Sequence, residues 1–159
     1  MKIYLAGPVV TNDINIKKQM DLLENAINSM NKLYNIEVYR PGSHKVPNAW
    51  GINMQTWAQC VFTMDVIAIN ECDWMVVADY GRQGTAGTAW ECGYAFAKNV
   101  KILVVQMPGV EESSLMTQGC AANICKYEDF IDNNTNKNDD RFEKFFFERG
   151  RKQNDIILN

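Results

Sequence analysis

The sequence predicts an α/β fold, a three-layer sandwich in which helices cover both faces of a five-stranded parallel sheet in a flavodoxin-like, Rossmann-like order. Short apolar runs rich in valine and isoleucine alternate along the chain with longer segments of helical periodicity. The runs are apolar at successive positions, as in strands that are buried on both faces. Glycine, proline or polar residues follow most runs, and these residues are typical of turns.

The strands and helices are predicted from these patterns in chain order. The strands are expected at residues 2–6, 36–39, 74–78, 101–106 and 124–127. The helices are expected at residues 15–33, 54–72, a segment after Thr88, and 141–151. In the second helix the buried stripe is predicted to be Trp57, Val61, Met64 and Ala68, with Asp65 beside it. In the last helix, Phe142, Phe145 and Phe146 are spaced to pack on the sheet.

Loops separate these elements. Residues 41–53 form a loop that contains His44, Lys45 and Trp50, which suits either ligand binding or an ordinary surface loop. Residues 108–123 form another loop, and the polar stretch 132–140 is expected to be a surface loop of low complexity.

A glycine-rich turn with a single carboxylate follows the third strand. Gly81, Gly84 and Gly87 allow a ligand to approach the backbone closely. Thr88 is the expected N-cap of the next helix, which places Glu91 in the first turn. From the residues alone, Glu91 is either a helix-stabilising glutamate or a catalytic carboxylate. The apolar stripe of this helix is predicted to be Ala89, Cys92, Gly93, Phe96 and Ala97.

Composition limits the class of protein. The 159 residues, 47% hydrophobic and 22% charged, predict one soluble domain, 1–159, without a membrane span. The N-terminal sequence has no secretion signal, so a cytoplasmic location is expected. A net charge of −3 predicts no nucleic-acid surface, and His44 as the single histidine argues against a metal site. The five cysteines predict reduced structural thiols.

In parallel sheets, ligands bind beyond the carboxyl ends of the strands. That rule brings together Gly7 and Pro8, the loop from Pro41 to Trp50, the glycine turn with Glu91, and the segment 113–116.

The sequence resembles the nucleoside 2-deoxyribosyltransferases and the related nucleotide N-hydrolases. The matching pieces are IYLAGP at the first strand, Asp65 followed by Asp73, GTAWECGYA around Glu91, and SLM at 114–116. The resemblance implies cleavage of a nucleoside N-glycosidic bond, with Glu91 as nucleophile and Tyr4 as the residue that orients Glu91. Asp65 is expected either to protonate the leaving base or to position the sugar. The reaction requires no cofactor, and Asp73 is expected to be structural.

The resemblance also implies the substrate contacts and the assembly. The residues expected to bind substrate are Gly7, Pro8, Val9, Val10, Lys45, Trp50, Thr85, Gly87, Ser114 and Met116. The segment at Ser114 is usually lent to a neighbouring subunit, so a homo-oligomer with shared sites is implied.

Thr85 and Ser114 bear on the choice of substrate. The transferases carry an acidic residue six positions before the nucleophile and an asparagine before Leu-Met, where this chain has Thr85 and Ser114. The nucleotide hydrolases use short hydroxyls there to bind a 5′-phosphate, and NAWG at 48–51 also resembles them. Hydrolysis of a nucleoside 5′-monophosphate is therefore expected. A true 2-deoxyribosyltransferase, to which GTAWE is closer, and a non-catalytic nucleotide sensor remain alternatives.

Overall fold

The computed structural model describes residues 1–9, 12–30, 34–81, 86–131 and 143–147. Within these residues the strands are β1 (Lys2–Ala6), β2 (Glu37–Tyr39), β3 (Trp74–Asp79), β4 (Lys101–Gln106) and β5 (Asn123–Lys126). The helices are α1 (Ile14–Ser29), α2 (Met54–Glu71), α3 (Ala86–Ala97), α4 (Leu115–Cys120) and α5 (Tyr127–Ile131). A short 3₁₀ turn (Ala49–Gly51) and a π-helical turn (Glu143–Phe147) accompany them.

The strands form one parallel sheet in the order β2-β1-β3-β4-β5, which confirms the predicted fold class. The chain leaves β1 for β2 on one side and then crosses to β3 on the other. The strand order therefore reverses between β1 and β3, and a crevice opens at their carboxyl ends. Gly7 and Pro8 follow β1 there, and Asp79 ends β3 beside them.

Alternation along the strands divides the core into two layers. Ile3, Leu5 and Val76 face the layer that contains α1, α5 and the π-helical turn. Tyr4, Ala6 and Val77 face the layer that contains α2 and α3. Side-chain caps begin the first two helices: Asp13 accepts a hydrogen bond from the Asn15 N–H of α1, and Asn53 accepts one from the Thr56 N–H of α2.

The predicted buried stripe of α2 is largely wrong. Trp57 is 41% exposed, Val61, Met64 and Ala68 are half-buried, and Ile69 is the buried residue of this helix. The reason is the direction of the helix. α2 begins near the carboxyl edge of the sheet and ends at the amino edge, where Glu71 pairs with Lys2. Its first half therefore lies beyond the sheet and faces a pocket instead of the core.

The local predictions for α3 also need correction. The helix already includes Ala86, so Thr88 is not its N-cap and Glu91 lies beyond the first turn. Its buried side chains are Glu91, Cys92 and Ala95, whereas Ala89, Gly93 and Ala97 of the predicted stripe are exposed and Phe96 is half-buried. The helix is turned so that a polar residue faces the sheet, which an apolar pattern does not reveal.

The C-terminal third contains more helix than the sequence predicts. α4 and α5 were not expected, and β5 begins one residue before the predicted strand. Phe145 and Phe146 pack in the core as predicted. The polar stretch 132–140, Phe142 and the rest of the predicted last helix outside Glu143–Phe147 lie outside the described residues.

The helices and the cysteines bear on two expectations from composition. No helix in the described ranges is both long enough and apolar enough to cross a membrane. All five cysteines are free thiols, in agreement with the prediction.

The turn after β1 leaves little room for a side chain at Gly7. A Cβ atom on Gly7 would lie 2.8 Å from Met20 Cε of α1 and 3.2 Å from the Ala78 Cβ of β3. Gly7→Ala should therefore lower the free energy of unfolding by about 1–3 kcal/mol, measured by urea denaturation. Gly51→Ala is the control, because a Cβ at Gly51 meets no atom within 4 Å among the described residues. Equal stability of the two variants would contradict this packing.

Candidate active site

A buried carboxylate lies against a buried phenol between the sheet and α3. Tyr4, fully buried in β1, donates a hydrogen bond from its hydroxyl to Glu91 Oε1 at 2.7 Å. Glu91 is 7% exposed, and its Oε2 is buried with no hydrogen-bond partner among the described residues. One oxygen of the carboxylate is therefore held in place, and the other has no hydrogen-bond partner among the described residues.

Burial changes the proton affinity of both partners. It is the main cause that raises the pKa of Glu91 to about 7, while the hydrogen bond from Tyr4 opposes the increase and the charge of Asp65 adds to it. Burial also raises the pKa of Tyr4, so its phenol stays protonated and remains a donor. Near neutral pH the Glu91 side chain is thus divided between carboxylate and acid.

A second tyrosine and a second carboxylate lie next to this pair. Tyr39 of β2 is opposite Tyr4 in the parallel register, and the two rings stack with centroids 5.4 Å apart. The Tyr39 hydroxyl donates to Asp65 Oδ1 of α2 at 3.0 Å. His44 stacks on the Tyr39 ring with centroids 4.6 Å apart. The strand register therefore brings residues of β1, β2, α2 and α3 into one cluster.

Asp65 is the more accessible acid of the cluster. Burial raises its pKa above the usual range, and the hydrogen bond from Tyr39 and a charge on His44 act in the opposite direction. A half-buried carboxyl group beside a cavity can exchange a proton with a bound molecule, which is the requirement for general acid catalysis.

Asp65 and Tyr39 open into a cavity of about 970 Å³ at the carboxyl edge of the sheet. Its wall is mostly apolar, with a few polar groups, as is usual for sites that bind small organic molecules. Gly42 has φ +80° and approaches Val9 so closely that a Cβ would collide with it, so glycine lets this loop close over β1. The lining residues are Val9, Tyr39, Pro41, Gly42, His44, Lys45, Val46, Pro47, Asn48, Ala49, Trp50, Trp57, Val61, Met64 and Asp65.

Several residues predicted to bind substrate lie around this cavity. Val9, Lys45 and Trp50 line it. Gly7 and Pro8 lie at the adjacent end of β1, and Gly87 is in the first turn of α3. Val10 and Thr85 are outside the described residues, as is Gly84 of the glycine turn.

Ser114 and Met116 lie apart from this cavity. Ser114 is the N-cap of α4, where its Oγ accepts a hydrogen bond from the Thr117 N–H at 3.1 Å. Met116 is 81% exposed and lines a groove of about 310 Å³ between α3 and α4, together with Cys92 and Phe96. Neither residue lines the cavity beside Asp65.

Asp73 lies at the opposite edge of the sheet. Its Oδ2 accepts a hydrogen bond from the backbone N–H of Lys2 at 2.8 Å, which ties the start of β3 to β1. This is the structural role expected from the sequence. No group of three metal-ligating side chains occurs in the described ranges.

Tyr39 was missed by the sequence reasoning, and His44 was noted there only as a loop residue. The signal for Tyr39 was its place in the strand after the first helix, where a flavodoxin-like order pairs that strand with β1. The two tyrosines are then neighbours on the same face. Nothing local in the sequence indicates that His44 would stack on Tyr39.

The raised pKa of Glu91 predicts a pH-dependent gain in stability when the carboxylate is removed. In the wild type, unfolding becomes easier as pH rises from the ordinary value of 4.5 to about 7, because the unfolded chain loses this proton first. The unfolding free energy of Glu91→Gln relative to wild type should therefore increase by on the order of 2–3 kcal/mol over that interval. Urea denaturation at pH 5 and pH 8 measures it. Glu111→Gln, an exposed change, is the control, and a difference independent of pH would contradict the prediction.

Comparisons with known proteins are consistent with this geometry. The family model described as nucleoside 2-deoxyribosyltransferase matches residues 3–129. A comparison with the sequences of curated proteins finds no significant match.

Three solved structures are similar in fold. The 2-deoxyribosyltransferase of the psychrotolerant bacterium Bacillus psychrosaccharolyticus has a TM-score of 0.68 and 22% identity, over 85% of this chain and 93% of that one. A conserved protein from Enterococcus faecalis V583 has a TM-score of 0.65 and 20% sequence identity, over 82% of this chain and 94% of its own. The CMP N-glycosidase BcmB from Clostridium botulinum has a TM-score of 0.56 and 19% sequence identity, over 82% of this chain and 96% of its own. Because the family model spans most of the sequence, the chain belongs to the nucleoside 2-deoxyribosyltransferase family.

Proposed function

We propose that this enzyme hydrolyses the N-glycosidic bond of a nucleoside 5′-monophosphate and releases the free base, with Glu91 as nucleophile. The observation that supports the proposal is the environment of the two carboxylate oxygens of Glu91. Its Oε1 is held by Tyr4, and its Oε2 is buried and unpaired among the described residues. A carboxylate held in this way is suited to attack an anomeric carbon in an oxocarbenium-like transition state.

The reaction follows from the two carboxyl groups. Glu91 Oε2 attacks C1′ while the C1′–N bond breaks, and its electron pair passes to the ring nitrogen, which takes the proton of Asp65. Water then attacks C1′ of the glycosyl ester, gives a proton to the ionised Asp65 and releases Glu91. The products are the free base and the sugar 5-phosphate. No metal or organic cofactor takes part in this scheme.

The cavity beside Asp65 is the proposed site of the base. Trp50, Trp57 and Val61 supply apolar and aromatic surface there, and Asp65 lies at its inner end beside Tyr39. A planar heterocycle packs well on such surfaces while its ring nitrogen meets the acid. Lys45 adds a cation to the wall of the cavity.

The hydroxyls of Thr85 and Ser114 are proposed to bind the 5′-phosphate. No carboxylate occupies position 85, so an anion there meets less repulsion than it would in the transferases that the sequence resembles. Serine and threonine hydroxyls can donate hydrogen bonds to phosphate. Ser114 Oγ accepts the capping bond of α4 and also lies 2.8 Å from Thr117 Oγ1. When Thr117 is the donor in that second contact, the proton of Ser114 is available to a phosphate oxygen.

A homo-oligomer is proposed because Ser114 and Met116 are displaced from the cavity and lie beside exposed apolar side chains. Leu115 is 85% exposed and Phe62 is 54% exposed, and Trp90 stacks on Tyr94 on the outer surface of α3. A second copy of the chain that covers this surface would bury these groups and bring its own Ser114 to the cavity.

The alternative enzyme is a 2-deoxyribosyltransferase, in which a second base replaces water at the glycosyl ester. The sequence GTAWE around Glu91 favours it. A protein that binds nucleotides without turnover is the third possibility, and the two following experiments separate these functions.

Glu91→Gln should reduce glycosidic cleavage by at least about 10³-fold, because the nucleophile is lost while the shape of the side chain is kept. The wild type should show the protonation of Glu91 directly. With a substrate whose base leaves without a proton, such as 7-methylguanosine 5′-monophosphate that is also methylated at N1 to remove the ring proton that ionises near neutral pH, kcat/KM should rise with pH through about 7 and then level. Chromatography of the free base measures both effects. Near-normal turnover by a folded Glu91→Gln protein would exclude Glu91 as the nucleophile.

Removal of the hydroxyl at Thr85 or Ser114 should weaken cleavage of monophosphates and spare nucleosides. Thr85→Val and Ser114→Ala should each cost about 1–2 kcal/mol in kcat/KM for the monophosphate, the range for a hydrogen bond to a charged group. Nucleoside cleavage by Ser114→Ala is the control for the cap of α4, because damage to the helix would lower the turnover of both substrates. If the wild type instead transfers deoxyribose between free bases and ignores monophosphates, the transferase alternative replaces the hydrolase. Nucleotide binding in calorimetry without turnover would indicate the sensor.

A further inference from the structure

We propose that Tyr39 is a positioning residue for the acid, holding Asp65 Oδ1 so that Oδ2 carries the proton delivered to the departing base. The inference rests on the proposed glycosidic cleavage and adds to it a residue that the sequence did not indicate. The observation is the 3.0 Å hydrogen bond from the Tyr39 hydroxyl to Asp65 Oδ1 at the edge of the cavity.

The backbone and two ring contacts determine where the Tyr39 hydroxyl lies. β2 is an edge strand of three residues, so its pairing with β1 alone is short. The Tyr39 ring stacks on Tyr4, which is fully buried, and also on His44 of the cavity loop. These contacts place the phenol of a short strand at a defined distance from α2.

The arrangement repeats the one at Glu91. Tyr4 donates to one oxygen of Glu91, and Tyr39 donates to one oxygen of Asp65. Because the two rings stack, the two carboxyl groups are held by neighbouring phenols. A retaining glycosidase needs that relation, since one group must reach C1′ and the other the leaving nitrogen.

The hydrogen bond also affects how readily Asp65 gives up its proton. Burial raises the pKa of Tyr39, so the phenol remains a donor over the working range of pH. Its hydrogen bond favours the ionised form of Asp65 and so lowers a pKa that burial raises. The other titratable groups around Asp65 are His44 and Lys45 of the loop, Tyr4 of β1 and Glu91 of α3. None of them donates to Asp65 in the hydrogen bonds between described residues.

Tyr39→Phe tests the proposal, because phenylalanine keeps the ring stack and removes the hydroxyl alone. Tyr80→Phe is the matched control: the Tyr80 hydroxyl donates to Gln19 at 3.1 Å on the other face of the sheet. For a nucleotide whose base must be protonated to leave, the rate of glycosidic cleavage should fall by roughly 10-fold or more in Tyr39→Phe. Cleavage of the 7-methylguanine substrate should change by less than about 3-fold. Tyr80→Phe should leave both rates unchanged.

A double-mutant cycle separates an effect through Asp65 from a general structural effect. In the Asp65→Asn background, Tyr39→Phe should cause no further loss for the base that needs a proton. A loss of the same size in both backgrounds, or equal losses for both leaving groups, would overturn the proposal.

A titration of the carboxyl groups by ¹³C NMR requires no turnover. The midpoint of Asp65 should move to higher pH in Tyr39→Phe and stay unchanged in Tyr80→Phe. An unchanged midpoint in both variants overturns the role of Tyr39, even if the wild type cleaves nucleotides. A shifted midpoint in a protein that cleaves neither nucleosides nor nucleotides instead removes the proposed function, and the proton delivery with it.

Discussion

The hydrogen bond between Tyr4 and Glu91 holds a carboxylate in the layer between the sheet and α3, where an unpaired charge is unfavourable. The hydrogen bond from Tyr4 favours the carboxylate less than burial disfavours it, so the pKa of Glu91 rises to about 7. The helix must then be turned so that Glu91, and not an apolar residue, faces the strand. Burial of an ionisable group at this position costs stability, and the position is that of the proposed nucleophile.

The parallel register extends this constraint to a second pair. Tyr39 is opposite Tyr4 in β2, so the two phenols reach neighbouring carboxyl groups on two helices. The reversal of strand order places this cluster at the carboxyl edge of the sheet. The first half of α2 lies beyond that edge, and its apolar side chains form the wall of a cavity instead of a core. One topological feature thus accounts for both the acid cluster and the adjoining space.

The surface of α3 and α4 has a different character. Leu115 and Met116 are more than four-fifths exposed, at 85% and 81%, and Cys92 lies at the bottom of the groove between the two helices. Ser114 caps α4 on this side, so its hydroxyl already has a structural partner. The proposed phosphate contact must therefore use the hydroxyl proton, and the proposed second copy supplies the geometry that one chain lacks.

The sequence by itself determined the order of the strands, the ends of β1 and β4, and the layer arrangement, because apolar runs and turn residues are local signals. The resemblance to the nucleoside 2-deoxyribosyltransferases added Glu91, Asp65 and Tyr4 as candidate catalytic residues. Only the tertiary structure decided which face of α3 is buried, how Trp57 is exposed and that Tyr39 holds Asp65. Those facts depend on helix rotation and on register between strands that are distant in the chain. Hydrophobic periodicity cannot reveal them, because a buried carboxyl group contributes nothing to an apolar pattern.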